Sequence, residues 1–236
     1  MLDGEKMGNA IANAVIQYGG HSDSQGSAVC KKYWVLISTE ICNHIKSNAI
    51  VMSAGMPTAG HVSTTPMSIT GLDGTIMGNA IASSVISYGG HSDSQGSAVC
   101  KKYWVLISTE ICNHIMDSGK IAPGISGNHG ASTSNGNFLS GSLNGDVLGN
   151  AIASSVISYG GHSDSQGSVL CRKYWVLIST EICNHIMDNA EVPPGIGHSC
   201  AYGEHGCTNV GVYVSNGKIT WLFYIYSKNY NDLQRR

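Results

Sequence analysis

A chain of 236 residues with a net charge of −2 has no basic excess with which to displace counterions from nucleic acid. No apolar run approaches the roughly 18 residues of a membrane span, and the opening MLDGEKMGNA lacks the apolar centre of a secretory signal. A content of 30 glycines against only 12% charged residues fits short ordered units separated by lean connecting segments.

The dominant feature is self-similarity. The segment 8–45 returns as 78–115 and again as 149–186, at spacings of 70 and 71 residues. Between the first two copies only Asn13, Ala14 and Gln17 change, to Ser83, Ser84 and Ser87; between the second and third, Ala98, Val99 and Lys101 become Val169, Leu170 and Arg172. A fixed period of this kind governs architecture before any residue-level feature does. It divides the chain into repeat 1 (1–70), repeat 2 (71–141), repeat 3 (142–195) and a dissimilar tail (196–236).

Each repeat reads as a short helix, a glycine turn and a long helix. In the first copy Ile11, Val15 and Tyr18 fall on one helical face, and Gly19 and Gly20 stop the helix as left-handed caps. The loop GGHSDSQGS then places His21, Ser22 and Asp23 side by side. Chain neighbours cannot converge as nucleophile, base and orienter must, so the loop is expected to be a turn and a cap. Ser22 stands three residues before Gln25, the reciprocal capping pattern, and the same pattern recurs as Ser92 with Gln95 and Ser163 with Gln166.

The long helix is expected over about Ser24 to Ile45. Val29, Cys30, Tyr33, Trp34, Leu36, Ile37 and Ile41 form one broad apolar face, expected to cover the short helix. Val35 and Cys42 form a second apolar line, which implies neighbours beyond the hairpin. Two polar residues, Glu40 and His44, interrupt the main face at i and i+4, with equivalents Glu110 and His114, and Glu181 and His185. They read as a hydrogen-bonded pair near the helix end, where a cationic imidazole suits the dipole. Sharper alternatives are a polar layer on a shared axis that fixes register, or a three-histidine metal site.

The segments 46–77 and 116–148 have low charge and no helical period, which suggests extended strands or ordered coil, with a flexible linker as the bland alternative. In the tail, His198, Cys200, His205 and Cys207 offer four zinc ligands within ten residues, or a Cys200–Cys207 disulfide, or neither. Asn216-Gly217 then joins two β-prone runs, a hairpin signal whose apolar arm, Ile219 to Tyr226, needs covering. Cys30 and Cys42 are too far apart along one helix to pair. Pairing between repeats stays open, above all for the outward-reading Cys42, Cys112 and Cys183, beside the alternative that all six helix cysteines are small buried hydrophobes.

The run KYWVLISTEICNHIKSNAIV, followed by Gly/Ser/Thr-rich sequence and a restart at GLDGTIMGNAIA, resembles tail, baseplate or other structural proteins of tailed bacteriophages. The resemblance covers most of residues 8–148 and, more weakly, 149–190. It implies a virion structural role, with self or other virion proteins as partners, and brings no catalytic residues.

Two functions follow as expectations. One is a non-enzymatic structural component of a virion or other assembly. The other is a binding or adhesion module, soluble in the cytoplasm or outside the cell, that uses its loops and aromatic tail for recognition. No nucleophile–base pair, paired carboxylates or phosphate loop supports an enzyme, and no cofactor is expected beyond zinc in the tail. The expected fold is mainly α with β additions: three tandem helical hairpins joined by extended segments, with a C-terminal β-hairpin. Because a lone hairpin buries too little apolar surface, the repeats must stack in a row or close about a pseudo-threefold axis. The second apolar line favours the row, with the tail capping one end.

Overall fold

The computed structural model describes residues 1–19, 24–52, 68–89, 94–121, 136–160 and 165–192. The molecule is mainly helical, and each repeat contributes a hairpin. Repeat 1 holds α1 (Gly4–Gln17) and α2 (Ser24–Asn48), repeat 2 holds α3 (Gly74–Ser87) and α4 (Ser94–Ser118), and repeat 3 holds α5 (Gly145–Ser158) and α6 (Ser165–Asn189). The short helices start four residues earlier than the repeat boundary suggests, because the residue before each start is a good cap. Asp3, Asp73 and Asn144 take extended backbone, and their side chains accept from the second and third free N–H groups of the helix. The short helices end where the glycine turn predicts: Gly19, Gly89 and Gly160 have φ of 104°, 109° and 106°, a conformation a side chain would oppose.

The hairpin closes through a face the periodicity assigns elsewhere. A Cβ on Gly8 would stand 2.5 Å from the Cα of Val35, and one on Gly4 would collide with the backbone of Thr39. The spacing Gly4, Gly8, Ala12 therefore lays α1 backbone-to-backbone on the Val35–Thr39 line of α2, and Ala12 beyond it is fully buried. Small residues at every fourth position permit that approach, as they do between membrane helices. Thr39 satisfies its hydroxyl on the Val35 carbonyl at 2.7 Å.

The broad apolar face of the long helix consequently points away from its own short helix and into a core common to all three repeats. Cys30, Trp34, Ile37, Ile41 and Ile45 of α2 are buried there with their equivalents from α4 and α6. Val29, at 50% exposure, lies outside that core, and Leu36 is only half-buried. Cys42, expected to point outward, is buried with Cys112 and Cys183; all six helix cysteines are free thiols.

The repeats close into a ring. The long helix of each repeat packs against the short helix of the next: α2 on α3, α4 on α5, and α6 back on α1. The expected row is thereby corrected. A row leaves α1 and α6 unpartnered by one another, whereas here that contact matches the other two. The line through Val35, which argued for outside neighbours, is used up inside the hairpin.

Short strands cluster where the long helices end and the short ones begin. β1 (Ile50–Met52) pairs antiparallel with β2 (Ser68–Thr70), with Val51 opposite Ile69. β3 (Gly136–Asn137) pairs with β4 (Glu191–Val192), and a bridge joins Ile121 to Phe138. Extended structure thus occupies both ends of the first connecting segment and part of the second. The segments are narrower than 46–77 and 116–148, however, because α2 and α4 run on to Asn48 and Ser118 and α3 and α5 begin at Gly74 and Gly145. The predicted tail hairpin around Asn216-Gly217 falls outside the described residues.

Candidate functional site

The Glu–His pairs stand at the junctions between repeats. His44 Nε2 accepts the backbone N–H of Asp73 at 3.1 Å, His114 Nε2 that of Asn144 at 3.0 Å, and His185 Nε2 that of Asp3 at 3.1 Å. These three bonds run from repeat 1 to 2, from 2 to 3 and from 3 back to 1. Their donors are the cap residues of the following short helix. In a capping box the N–H of the cap residue is satisfied by Glu or Gln at the third helical position. Here that position holds Lys6, Ile76 or Val147, so a histidine from the preceding repeat does the same work across the junction.

An imidazole that accepts at Nε2 carries its proton at Nδ1 in the neutral state. The Asn48 side-chain nitrogen stands 3.2 Å from Nδ1 of His44 and donates to the His44 carbonyl at 3.0 Å. Burial pushes the pKa of all three histidines down, against a smaller upward pull from nearby carboxylates: Asp73 at His44, Asp117 at His114, and Asp3 and Asp188 at His185. The cationic, dipole-facing histidine expected from sequence is therefore corrected to a neutral acceptor. The pairs occupy three separate junctions rather than one axial layer. Each Nε2 lone pair is already used by a backbone N–H, which removes the histidines from a shared metal site. Among the described residues no group of three or more metal-binding side chains comes together.

Glu40 and Glu110 bond across the same junctions and not to their helical neighbours. Ser84 donates to Glu40 at 2.7 Å and Ser155 donates to Glu110 at 2.6 Å. In repeat equivalence Glu181 matches Glu40 and Glu110, and Ala14, which has no hydroxyl to offer, matches Ser84 and Ser155.

Each long helix carries a neighbouring tyrosine and tryptophan, Tyr33 with Trp34, Tyr103 with Trp104 and Tyr174 with Trp175. Across repeats the indole of Trp104 pulls the Tyr33 pKa down, that of Trp175 the Tyr103 pKa, and that of Trp34 the Tyr174 pKa, against larger upward effects. Within each repeat the tyrosine and tryptophan rings stand edge to face, 6.3–6.4 Å between centroids. Burial raises the pKa of all three tyrosines, that of Tyr103 to about 12, and neighbouring tyrosines and thiols add to the rise. Burial likewise pushes the thiols of Cys42, Cys112 and Cys183 up to about 12, which leaves them protonated and inert as nucleophiles.

The capping hydroxyls of Ser22, Ser92 and Ser163 lie outside the described residues; Gln25, Gln95 and Gln166 are exposed in the first turns of the long helices. His198, Cys200, His205 and Cys207 also lie outside them. The caps Asp3, Asp73 and Asn144 were missed in the sequence reading, although the signal was present: each precedes glycine in LDG, LDG and LNG, directly before the apolar periodicity begins. The Gly4, Gly8, Ala12 spacing was missed in the same way. No family model, curated protein or solved structure matches this chain, so the junctions themselves carry the functional reading.

Proposed function

We propose that the chain is a non-enzymatic structural protein, a component of a tailed-phage virion that makes contacts with copies of itself or with other virion proteins. One observation carries this reading. The repeated polar residues that could have performed chemistry, the three histidines and two of the three glutamates, are engaged in bonds that hold one repeat to the next. Among the described residues no helix is long and apolar enough to cross a membrane.

The test is immunogold labelling of particles purified from the source lysate, with an antibody raised against the full chain. Label at one fixed place on the virion is expected. Label found only in the particle-free fraction would remove the virion role and leave the binding-module reading.

A further inference from the structure

Near-identical sequence makes the three junctions alike, and two details make the flanks of repeat 3 the weak ones. Repeats 1 and 2, and repeats 2 and 3, are joined by the chain as well as by their contacts. The junction from repeat 3 to repeat 1 has only its contacts, and it is the one that lacks a serine: Ala14 stands where Ser84 and Ser155 bond Glu40 and Glu110. There His185 Nε2 accepts the Asp3 N–H at 3.1 Å. On the other flank of repeat 3 the cap facing His114 is Asn144, whereas His44 and His185 face the aspartates Asp73 and Asp3.

We propose that acid releases repeat 3 from the ring and that it re-docks on repeats 1 and 2 of a second copy of the chain, giving an interlinked dimer. Proton uptake at Nε2 turns each junction histidine from acceptor to donor, so that two N–H groups face each other where a hydrogen bond stood. Around His185 the groups that bear on this step are Asp3, Lys6 and the amino group of Met1 on the repeat 1 side and Asp188 on its own helix. Asp3 is already committed, since one carboxylate oxygen accepts from the Glu5 and Lys6 N–H groups at 2.9 and 3.1 Å. Around His114 the cap is a neutral amide, and the carboxylate within reach is Asp117 on its own helix. Asp73 opposite His44 is committed in the same way, to the Thr75 and Ile76 N–H groups at 2.7 and 3.1 Å, so what sets the flanks of repeat 3 apart is the missing serine on one side and the neutral Asn144 cap on the other.

A released repeat 3 exposes the face that carries Cys171, Trp175, Ile178 and Ile182, buried in the closed ring. The surface that fits it is the pair of repeats 1 and 2, present on every copy. In the exchanged dimer each junction re-forms with the same residues, so exchange is limited by release and by concentration.

The experiment uses the full chain under reducing conditions. Isotope-labelled and unlabelled protein are mixed, held at about pH 5, well below the ordinary histidine pKa, returned to about pH 7.5 and weighed by native mass spectrometry. A dimer of intermediate mass is expected, with a yield that rises with protein concentration and vanishes when the acid step is omitted. Ala14→Ser supplies the missing hydroxyl to Glu181 and should lower the yield about fivefold, the worth of one ordinary hydrogen bond. Monomer alone after the acid step, mixed dimer without it, or a yield indifferent to Ala14→Ser would each overturn the proposal. Virion labelling reads a different property, so the two ideas fail separately.

Discussion

The Cα of Val105 lies 2.5 Å from the point where a Cβ on Gly78 would stand. Because the obstacle is backbone, no rotamer change can make room, and α3 would have to lift off α4. Overpacking a close contact costs about 3 kcal/mol at the upper end of the usual range. Gly78→Ala should therefore lower the thermal midpoint by roughly 6–12 °C in a protein of this size. Gly89→Ala, at the turn, has open space around it but a φ of 109°, and should cost only about 1 kcal/mol. Differential scanning calorimetry of the two variants checks the order; equal losses would mean that close helix approach contributes nothing special.

Stability should fall as the pH drops below neutrality. The three junction histidines have folded-state pKa values below the ordinary 6.5, so below that value the unfolded chain takes up protons that the closed ring refuses. The stability they contribute is complete above about pH 6.5 and is lost as pH falls through the depressed folded values. Each histidine steepens the loss by up to about 1.4 kcal/mol per pH unit. Urea midpoints measured from about pH 7.5 down to about pH 5 should trace this slope, and His114→Gln, which cannot take up the proton, should flatten it. A wild-type midpoint that does not move before the carboxylates titrate would contradict the neutral assignment.

How much of this was legible in the sequence depends on range. The i, i+4 spacing of Glu40 and His44 and the helix–turn–helix of each repeat are local, and the 3.6-residue period exposes them, but the expected bond between the two gives way to bonds with the next repeat. The partner of His44 lies 29 residues away, on the cap of the next repeat. A helical wheel identifies an apolar face without saying which neighbour covers it. This is why the broad face of α2 was assigned to its own short helix. The small-residue line Gly4, Gly8, Ala12 was the available clue, since only a partner at very close range requires it. Row and ring present identical faces in sequence; the distinction rests on whether the junction angle closes after three units, which periodicity does not encode.

Native thiol reactivity offers a direct check on the core. Cys30, Cys100 and Cys171 are 6% exposed, and Cys42, Cys112 and Cys183 at most 2%. A thiol with pKa near 12 presents almost no thiolate at pH 8. An aromatic disulfide reagent should therefore leave these six unmodified in the folded protein and titrate them in denaturant. The slowest should be Cys42, Cys112 and Cys183, with rates that track global unfolding. Fast modification of Cys42 in the native state would place it on the surface after all.

Deleting residues 196–236 gives the sharpest test of ring against row. In a row the last repeat needs a cover, and loss of the tail would expose the apolar face of α6 and lead to aggregation. In the ring that face is already taken: α6 packs on α1, Trp175 and Ile178 are buried in the shared core, and the closing bond joins His185 to Asp3. None of these interactions involves a residue beyond 195. The truncated chain should elute as a monomer, keep its helical circular dichroism and melt within about 4 °C of the full chain, a shift of roughly 1 kcal/mol or less. Aggregation, or loss of the cooperative transition, would show that the ring depends on the tail for a cover that its own repeats do not supply.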